Sequence, residues 1–120
     1  MHDHRRLKVW QAGRRFVADI YELTLGFPDD ERFGLTSQLR RACVSIPSNI
    51  AEGAGRGGSG RSFAHFLRIA AGSAAEAETQ LQLARDVGIG DRALIDDAAD
   101  QVRVISKMLW SLERHHRKGT

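Results

Sequence analysis

Apolar residues recur along this chain in steps of three and four, which is the spacing of one face of an α-helix. Gly26, Phe27 and Pro28 end the first such stripe, and glycine-rich segments interrupt the later ones. The four stripes, in chain order, consist of Val9, Gly13, Phe16, Ile20 and Leu23; Leu35, Leu39, Ala42, Ile46, Ile50 and Gly53; Phe63, Phe66, Ala70, Ala74, Ala77, Leu81 and Ala84; and Ile95, Ala98, Val102, Ile105, Leu109 and Leu112. No segment alternates for long enough to predict a strand.

Four amphipathic helices with short connections predict an all-α fold, an antiparallel up-down four-helix bundle in a single domain over residues 1–120. Small polar side chains before the later helices are predicted N-caps. These are Asp29 and Asp30 for the second helix, Ser59 for the third and Asp91 for the fourth.

Pro47 lies inside the second apolar stripe. Its ring removes one backbone hydrogen bond and crowds the carbonyl group of Cys43, four residues earlier. We therefore expect the second helix to be kinked at Pro47 or divided there into two shorter helices.

The composition indicates an ordinary globular domain. Hydrophobic residues make up 42% and charged residues 28% of the 120 residues, so neither disorder nor a membrane span is indicated. No leader pattern is evident at the start, and we expect a cytoplasmic protein. The single cysteine, Cys43, lies in an apolar stripe without a partner for a disulfide or a zinc site, so we expect a small buried thiol.

The net charge is +3, and arginine supplies most of the positive charge, since only Lys8, Lys107 and Lys118 are lysines. Guanidinium groups bind phosphate oxygens with two parallel hydrogen bonds, which makes an anionic partner such as nucleic acid a reasonable hypothesis. A modest excess of arginine also fits codon bias. The charge alone therefore leaves both interpretations open.

The segment Gly53–Ser62 reads GAGRGGSGRS and fits two phosphate-binding patterns, G-x-x-x-x-G-[K/R]-S and G-x-G-x-x-G. Both need a strand that delivers the glycines to a helix N-terminus, and the preceding residues have a helical pattern instead. The segment is therefore predicted to be a flexible turn with Arg56 and Arg61. Nucleotide hydrolysis remains an alternative only because the pattern matches.

The stretches LKVWQAGRRFVADIYELT, FPDDERFGL, QLRRA, SIPSNIAEG and FLRIAAGSAAEAE stand in order between Leu7 and Leu83. In these motifs the chain resembles the four-helix-bundle proteins encoded by 23S rRNA intervening sequences. The resemblance implies a ring-like homopentamer. It also implies kinship with the accessory variability determinant of diversity-generating retroelements, a basic bundle that binds nucleic acid and partners a reverse transcriptase. For most family members no biochemical activity is established.

The chain departs from the family pattern at two places. Cys43 stands where the family usually has alanine, and GGSGRS replaces a shorter, more acidic approach to the following phenylalanine. The second change makes the turn more flexible and more basic. It argues against any function that needs an acidic group there.

Polar residues on the second and third helices allow two interpretations. They could bind an anion or relay protons, or they could form salt bridges between helices or subunits, which is the interpretation we favour. The residues are Arg40, Arg41, Glu52, Glu76 and Glu78. Glu76 and Glu78 diverge by roughly 200° around a helix. No Glu-x-x-His motif of a diiron bundle is present, and we expect no metal, no cofactor and no catalytic site.

A second, partly apolar face on the first helix consists of Leu7, Trp10, Val17 and Tyr21. A monomeric bundle rarely exposes such a face, so we expect these residues to form a subunit interface.

The sequence thus favours a non-enzymatic, homo-oligomeric bundle that binds RNA or DNA by neutralising phosphates rather than by reading bases. The arginines predicted to do so are Arg14, Arg15, Arg56, Arg61 and Arg68. The alternative is an oligomeric protein–protein adaptor, for example for a reverse transcriptase, that binds no nucleic acid of its own.

Overall fold

The computed structural model describes residues 3–118, which form four long α-helices. These are α1 (Lys8–Leu25), α2 (Leu35–Gly55), α3 (Gly60–Val87) and α4 (Arg92–Lys118). Short 3₁₀ turns at His4–Arg6 and Asp29–Glu31 precede α1 and α2. The described residues contain no strand, so the predicted all-α fold with four helices is confirmed.

Each helix packs against two neighbours in the cyclic order α1, α2, α3, α4, and the whole measures 45 × 20 × 19 Å. In the side-chain pairs between two neighbouring helices, the residue number rises on one helix as it falls on the other. For α3 and α4 these pairs are Arg68 with Glu113, Glu78 with Arg103, and Arg85 with Asp96. Thr24 with Arg40 and Asp19 with Gln101 link α1 to α2 and to α4. Such pairs favour the predicted antiparallel up-down order.

The predicted apolar stripes form the core. Nearly every member is buried, and only Leu35, Phe66 and Leu112 are half-buried. The buried face of α3 is built mostly from small side chains, which lets α2 and α4 approach it closely. The small residues of this face are Ala64, Ala70, Ala71, Ser73, Ala74, Ala77 and Ala84.

The helices α2 and α3 approach each other closely at Gly53. A Cβ atom added to Gly53 would lie 2.7 Å from Cβ of Phe66 and 3.0 Å from Cδ1 of Phe63. These separations are shorter than van der Waals contact, so the crossing of the two helices requires glycine at this position. The first glycine of the GAGRGGSGRS segment therefore serves helix packing.

Two of the three predicted N-caps are confirmed, and one is wrong. Oγ of Ser59 accepts a hydrogen bond from the Ser62 amide at 3.3 Å, and Oδ1 of Asp91 accepts one from the Leu94 amide at 3.1 Å. Asp29 and Asp30 do not cap α2, because they lie in the 3₁₀ turn after Pro28. Glu31 replaces them, since its Oε1 accepts a hydrogen bond from the Leu35 amide at 3.0 Å.

One helix runs through Pro47, so the expected alternative of two shorter helices is wrong. Pro47 faces α1 at Gly13, where an added Cβ atom would lie 3.5 Å from Cδ of the ring. The bend of the helix axis at Pro47 stays a prediction.

Replacement of Gly53 by alanine is expected to destabilise the fold by about 1–3 kcal/mol, because the new methyl group overlaps Phe66 and overpacks the crossing. Gly72→Ala is the matched control. Gly72 lies inside α3, and an added Cβ atom there meets no atom within 4 Å. The Gly72→Ala substitution is expected to stabilise the protein by about 0.5–1 kcal/mol, because alanine favours the helix more than glycine does. Urea unfolding followed by circular dichroism measures both changes, and a neutral Gly53→Ala variant would contradict the proposed close approach.

Candidate nucleic-acid interface

Charged residues divide the bundle into two halves. Between them lies an uncharged belt, residues 16–18, 42–51, 69–75 and 104–106, in which no Asp, Glu, Lys or Arg occurs. We call residues 3–15, 52–68 and 107–118 the basic half, and residues 19–41 and 76–103 the acidic half. Alternating helix directions bring the segments of each half together.

The modest net charge of +3 hides this separation. The basic half contains twelve of the eighteen Lys and Arg residues but only three of the fifteen Asp and Glu residues. The acidic half contains the other six basic and twelve acidic residues. The molecule is therefore strongly dipolar along its 45 Å axis.

All five arginines predicted to bind nucleic acid lie in the basic half. Arg14 and Arg15 are exposed on α1, Arg56 follows the end of α2, Arg61 is in the first turn of α3, and Arg68 is two turns further along α3. The structure does not gather them on one face, because Arg14 lies beside Trp10 in the groove between α1 and α2, with its Cζ atom 5.7 Å from the indole ring.

Ion pairs occupy four of the twelve basic side chains. Arg56 contacts Glu52 at 3.0 Å and also lies over the ring of Phe66. Arg5 donates two hydrogen bonds to Asp3, which hold the pKa of that carboxyl group below its usual range.

Glu113 holds the other two arginines. Its carboxylate is buried at the end of the bundle, with 3% of the residue exposed. It accepts a hydrogen bond of 2.7 Å from Nη1 of Arg68 and lies 3.4 Å from Nε of Arg117. Arg68 thus fastens α3 to α4 and is less available to a ligand than its position in the sequence suggests.

The remaining eight basic side chains are exposed and have no carboxylate partner within residues 3–118. They are Arg6, Lys8, Arg14, Arg15, Arg61, Lys107, Arg114 and Lys118. Sequence reasoning found three of them. It missed the other five because they come from the two ends of the chain, which only the fold brings to the same half.

The turn between α2 and α3 contains only Arg56, Gly57, Gly58 and Ser59. No strand precedes it in the described chain, and Ser59 already caps the first turn of α3. The segment is a tight connection between two helices, and the described chain lacks the preceding strand that a P-loop requires.

The polar residues on α2 and α3 act between and within helices. Glu78 bonds to Arg103 on α4 at 2.9 Å, and Arg40 donates a hydrogen bond of 2.8 Å to Oγ1 of Thr24 on α1. Arg41 and Glu76 are exposed. For Glu78 the favoured interpretation, a salt bridge between helices, is confirmed, whereas Arg40 links α2 to α1 by a hydrogen bond to a hydroxyl group and not by a salt bridge.

The second apolar face is partly used within the molecule. Leu7, Trp10 and Val17 are half-buried against the core, and Trp10 also meets the edge of the His4 ring. Tyr21 is 42% exposed, with Arg40 above its ring at 4.5 Å. Its role as a subunit interface stays a prediction.

Cys43 is a buried free thiol, as predicted. Burial raises its pKa to about 12, so the thiol is neutral and unreactive at physiological pH. Among residues 3–118 no group of three or more His, Cys, Asp or Glu side chains could hold a metal ion. In that same span, none of the helices has the length and apolar character needed to cross a membrane.

Comparisons with known proteins point to one family. The family model described as 23S rRNA-intervening sequence protein matches residues 5–111. A crystal structure from Bacteroides thetaiotaomicron, of a protein with unknown function from the S23 ribosomal protein family, is 27% identical and has a TM-score of 0.74. The similarity covers 88% of this chain and 97% of that one. No curated protein matches the chain.

Removing the guanidinium of Arg68 is expected to destabilise the protein by about 1–3 kcal/mol, because it takes one partner from the buried Glu113 carboxylate. Arg56→Ala is the matched control, since both partners of its ion pair are exposed and such pairs contribute about 0–1 kcal/mol. Thermal unfolding measures both variants. Equal losses of thermal stability for Arg68→Ala and Arg56→Ala would show that burial of Glu113 does not strengthen its ion pair with Arg68.

Proposed function

Because the chain belongs to the 23S rRNA-intervening sequence protein family, we propose that it is a non-enzymatic, homo-oligomeric bundle that binds nucleic acid without reading its sequence. The observation that supports this most is the basic half, with its eight exposed and unpaired Lys and Arg side chains. A phosphate backbone is the partner that such a surface attracts, because each neutralised phosphate releases condensed counterions.

Arg61 is the central contact in this proposal. It is exposed, has no carboxylate partner in the described chain, and lies in the first turn of α3, where the helix dipole also favours negative charge. Arg114 and Lys118, near the end of α4, lie in the same half. Arg56 and Arg68 contribute less, because Glu52 and Glu113 already neutralise part of their charge.

The proposal includes neither base readout nor catalysis. The free cations come from the 3₁₀ turn at His4–Arg6 and from α1, α3 and α4, and not from one helix that could enter a groove. The carboxylates of Glu52, Glu78 and Glu113 are in ion pairs, and the thiol of Cys43 is neutral.

We expect binding to RNA and DNA to be weak and strongly dependent on salt, with a slope of about 0.9 per phosphate for duplex DNA and about 0.7 for single strands. Arg61→Ala with Arg114→Ala should lower that slope and weaken all sequences alike. Fluorescence anisotropy with labelled duplexes and single strands, in a salt series, measures both quantities.

The matched control is Arg41→Ala with Arg92→Ala, which removes two exposed arginines from the acidic half. This variant has the same net charge as the test variant but should keep the wild-type slope. Absence of binding to any nucleic acid at about 50 µM protein and low salt would overturn the proposal. The oligomeric adaptor, whose partner is a protein such as a reverse transcriptase, would then replace it.

The oligomer is part of the same proposal, with the face of Leu7, Trp10, Val17 and Tyr21 as its interface and a pentamer as the expected number. Val44, on the adjoining α2, is 39% exposed and extends this face. Light scattering coupled to gel filtration should give a multiple of the 13.3 kDa protomer. Tyr21→Glu with Val44→Glu should reduce that mass. A monomeric mass for the wild-type protein would contradict the proposed oligomer.

A further inference from the structure

The two ends of the bundle differ in charge and in exposed apolar surface. At one end, the connection between α1 and α2 meets the connection between α3 and α4, since a Cβ atom added to Gly90 would lie 2.6 Å from the ring of Phe27. We call residues 21–34 and 83–97 the acidic end. The basic end consists of residues 4–8, 56–61 and 113–118. The ring of Phe63, in the first turn of α3, contacts that of His116 at 4.6 Å and joins α3 to α4 beside this end.

Six carboxylates at the acidic end are exposed and have no ion-pair partner within residues 3–118. They are Glu22, Asp29, Asp30, Asp86, Asp91 and Asp97. Arg32 and Arg92 are the unpaired cations of this end in the described chain. The excess is negative at this end, whereas unpaired cations leave a positive excess at the basic end, namely Arg6, Lys8, Arg61, Arg114 and Lys118.

Large apolar side chains accompany these carboxylates. The exposed fraction is 86% for Phe33, 79% for Leu25 and 65% for Val87. Arginine suits such a surface, because its stem packs on apolar groups while its guanidinium reaches a carboxylate or an aromatic face. Arg32 already shows this preference, with its Cζ atom 5.2 Å from the centre of the Phe33 ring.

We propose that the acidic end of one molecule docks on the basic end of a second copy, in a head-to-tail contact held by charge. The second copy is the occupant because this chain itself presents the complementary surface, rich in arginine and of the same width. The end faces are about 20 Å across. The area that each end can bury is therefore smaller than the roughly 800 Å² per partner of a standard stable interface. The contact is therefore weak, reversible and sensitive to salt.

Nucleic acid and the second copy use the same basic end, so each displaces the other. Self-association does not require that the protein bind nucleic acid, and it can be tested without any. The contact also differs from the apolar face on α1, whose central residues Trp10 and Val17 lie along the side of the bundle between the two ends.

Sedimentation velocity of the full chain, across protein concentrations, tests the contact. At about 0.01 M salt, where the Debye length is about 30 Å, the weight-average mass should rise about twofold above its value at about 1 M salt. The high-salt mass is the reference whether it belongs to a protomer or to a ring. A mass that does not depend on salt overturns the proposal and assigns the acidic end to another partner.

Two charge-reversed variants identify the surfaces. Asp29→Lys with Asp30→Lys removes most of the negative excess of the acidic end, and Arg61→Glu with Arg114→Glu removes more than half of the positive excess of the basic end, so each variant alone should show a smaller salt-dependent rise. An equimolar mixture of the two should regain it, because the unchanged basic end of the first variant meets the unchanged acidic end of the second. A mixture that behaves like its separate components overturns the proposal, provided that circular dichroism shows both variants folded.

Arg41→Glu with Arg92→Glu is the matched control for net charge. It changes the protein's charge as much as Arg61→Glu with Arg114→Glu does, but it adds negative charge to the half that is already acidic. Head-to-tail contact should persist or strengthen in this variant. Its loss would show that self-association follows net charge alone and would overturn the assignment to the two ends.

Discussion

The close approach of α3 to its two neighbours is the constraint on which the rest of this structure depends. Alanines at positions 64, 70, 71, 74, 77 and 84 form most of its buried face, and Gly53 lets α2 cross it at Phe66. Small side chains bury little apolar area themselves, so the larger residues of the other helices must fill the core. Ile46, Ile50, Ile105 and Leu109, which are fully buried or nearly so, do this.

Close packing also fixes where charge can lie. In an antiparallel bundle, each end contains two helix N-termini and two C-termini, so the helix dipoles nearly cancel. The long-range field of this molecule therefore comes from its side chains. The uncharged belt separates the two sets of charges, and the belt coincides with the part of α3 in which small residues leave no room for long side chains between helices.

The periodicity of the sequence predicted the four helices and nearly all of the core, because burial requires apolar residues at steps of three and four. It also predicted the caps at Ser59 and Asp91, which depend on residues close in sequence. It failed at Asp29 and Asp30, since the phi angle of Pro28 and the following 3₁₀ turn shift the start of α2 to Leu35. A helix N-cap depends on this local geometry, which composition does not reveal.

The charge separation was visible in the residues but was lost in the net charge. A count of charges by helix halves, with alternate helices reversed, would have predicted it. The pairing of Arg68 with Glu113 was not predictable in this way, because the two are 45 positions apart and their contact depends on the register of α3 against α4. The sequence therefore predicted that Arg68 binds a ligand, whereas much of its charge neutralises Glu113 and links α3 to α4.

The buried thiol of Cys43 gives the molecule an internal reporter of its own opening. It is the only cysteine of the chain, lies at the centre of α2 and is fully buried, so a thiol reagent reaches it only when the helices separate. The rate of modification then follows the population of open molecules as long as closing is faster than the chemistry. Oligomer formation or a bound polyanion that stabilises the closed bundle would slow this reaction, without any label or added probe group.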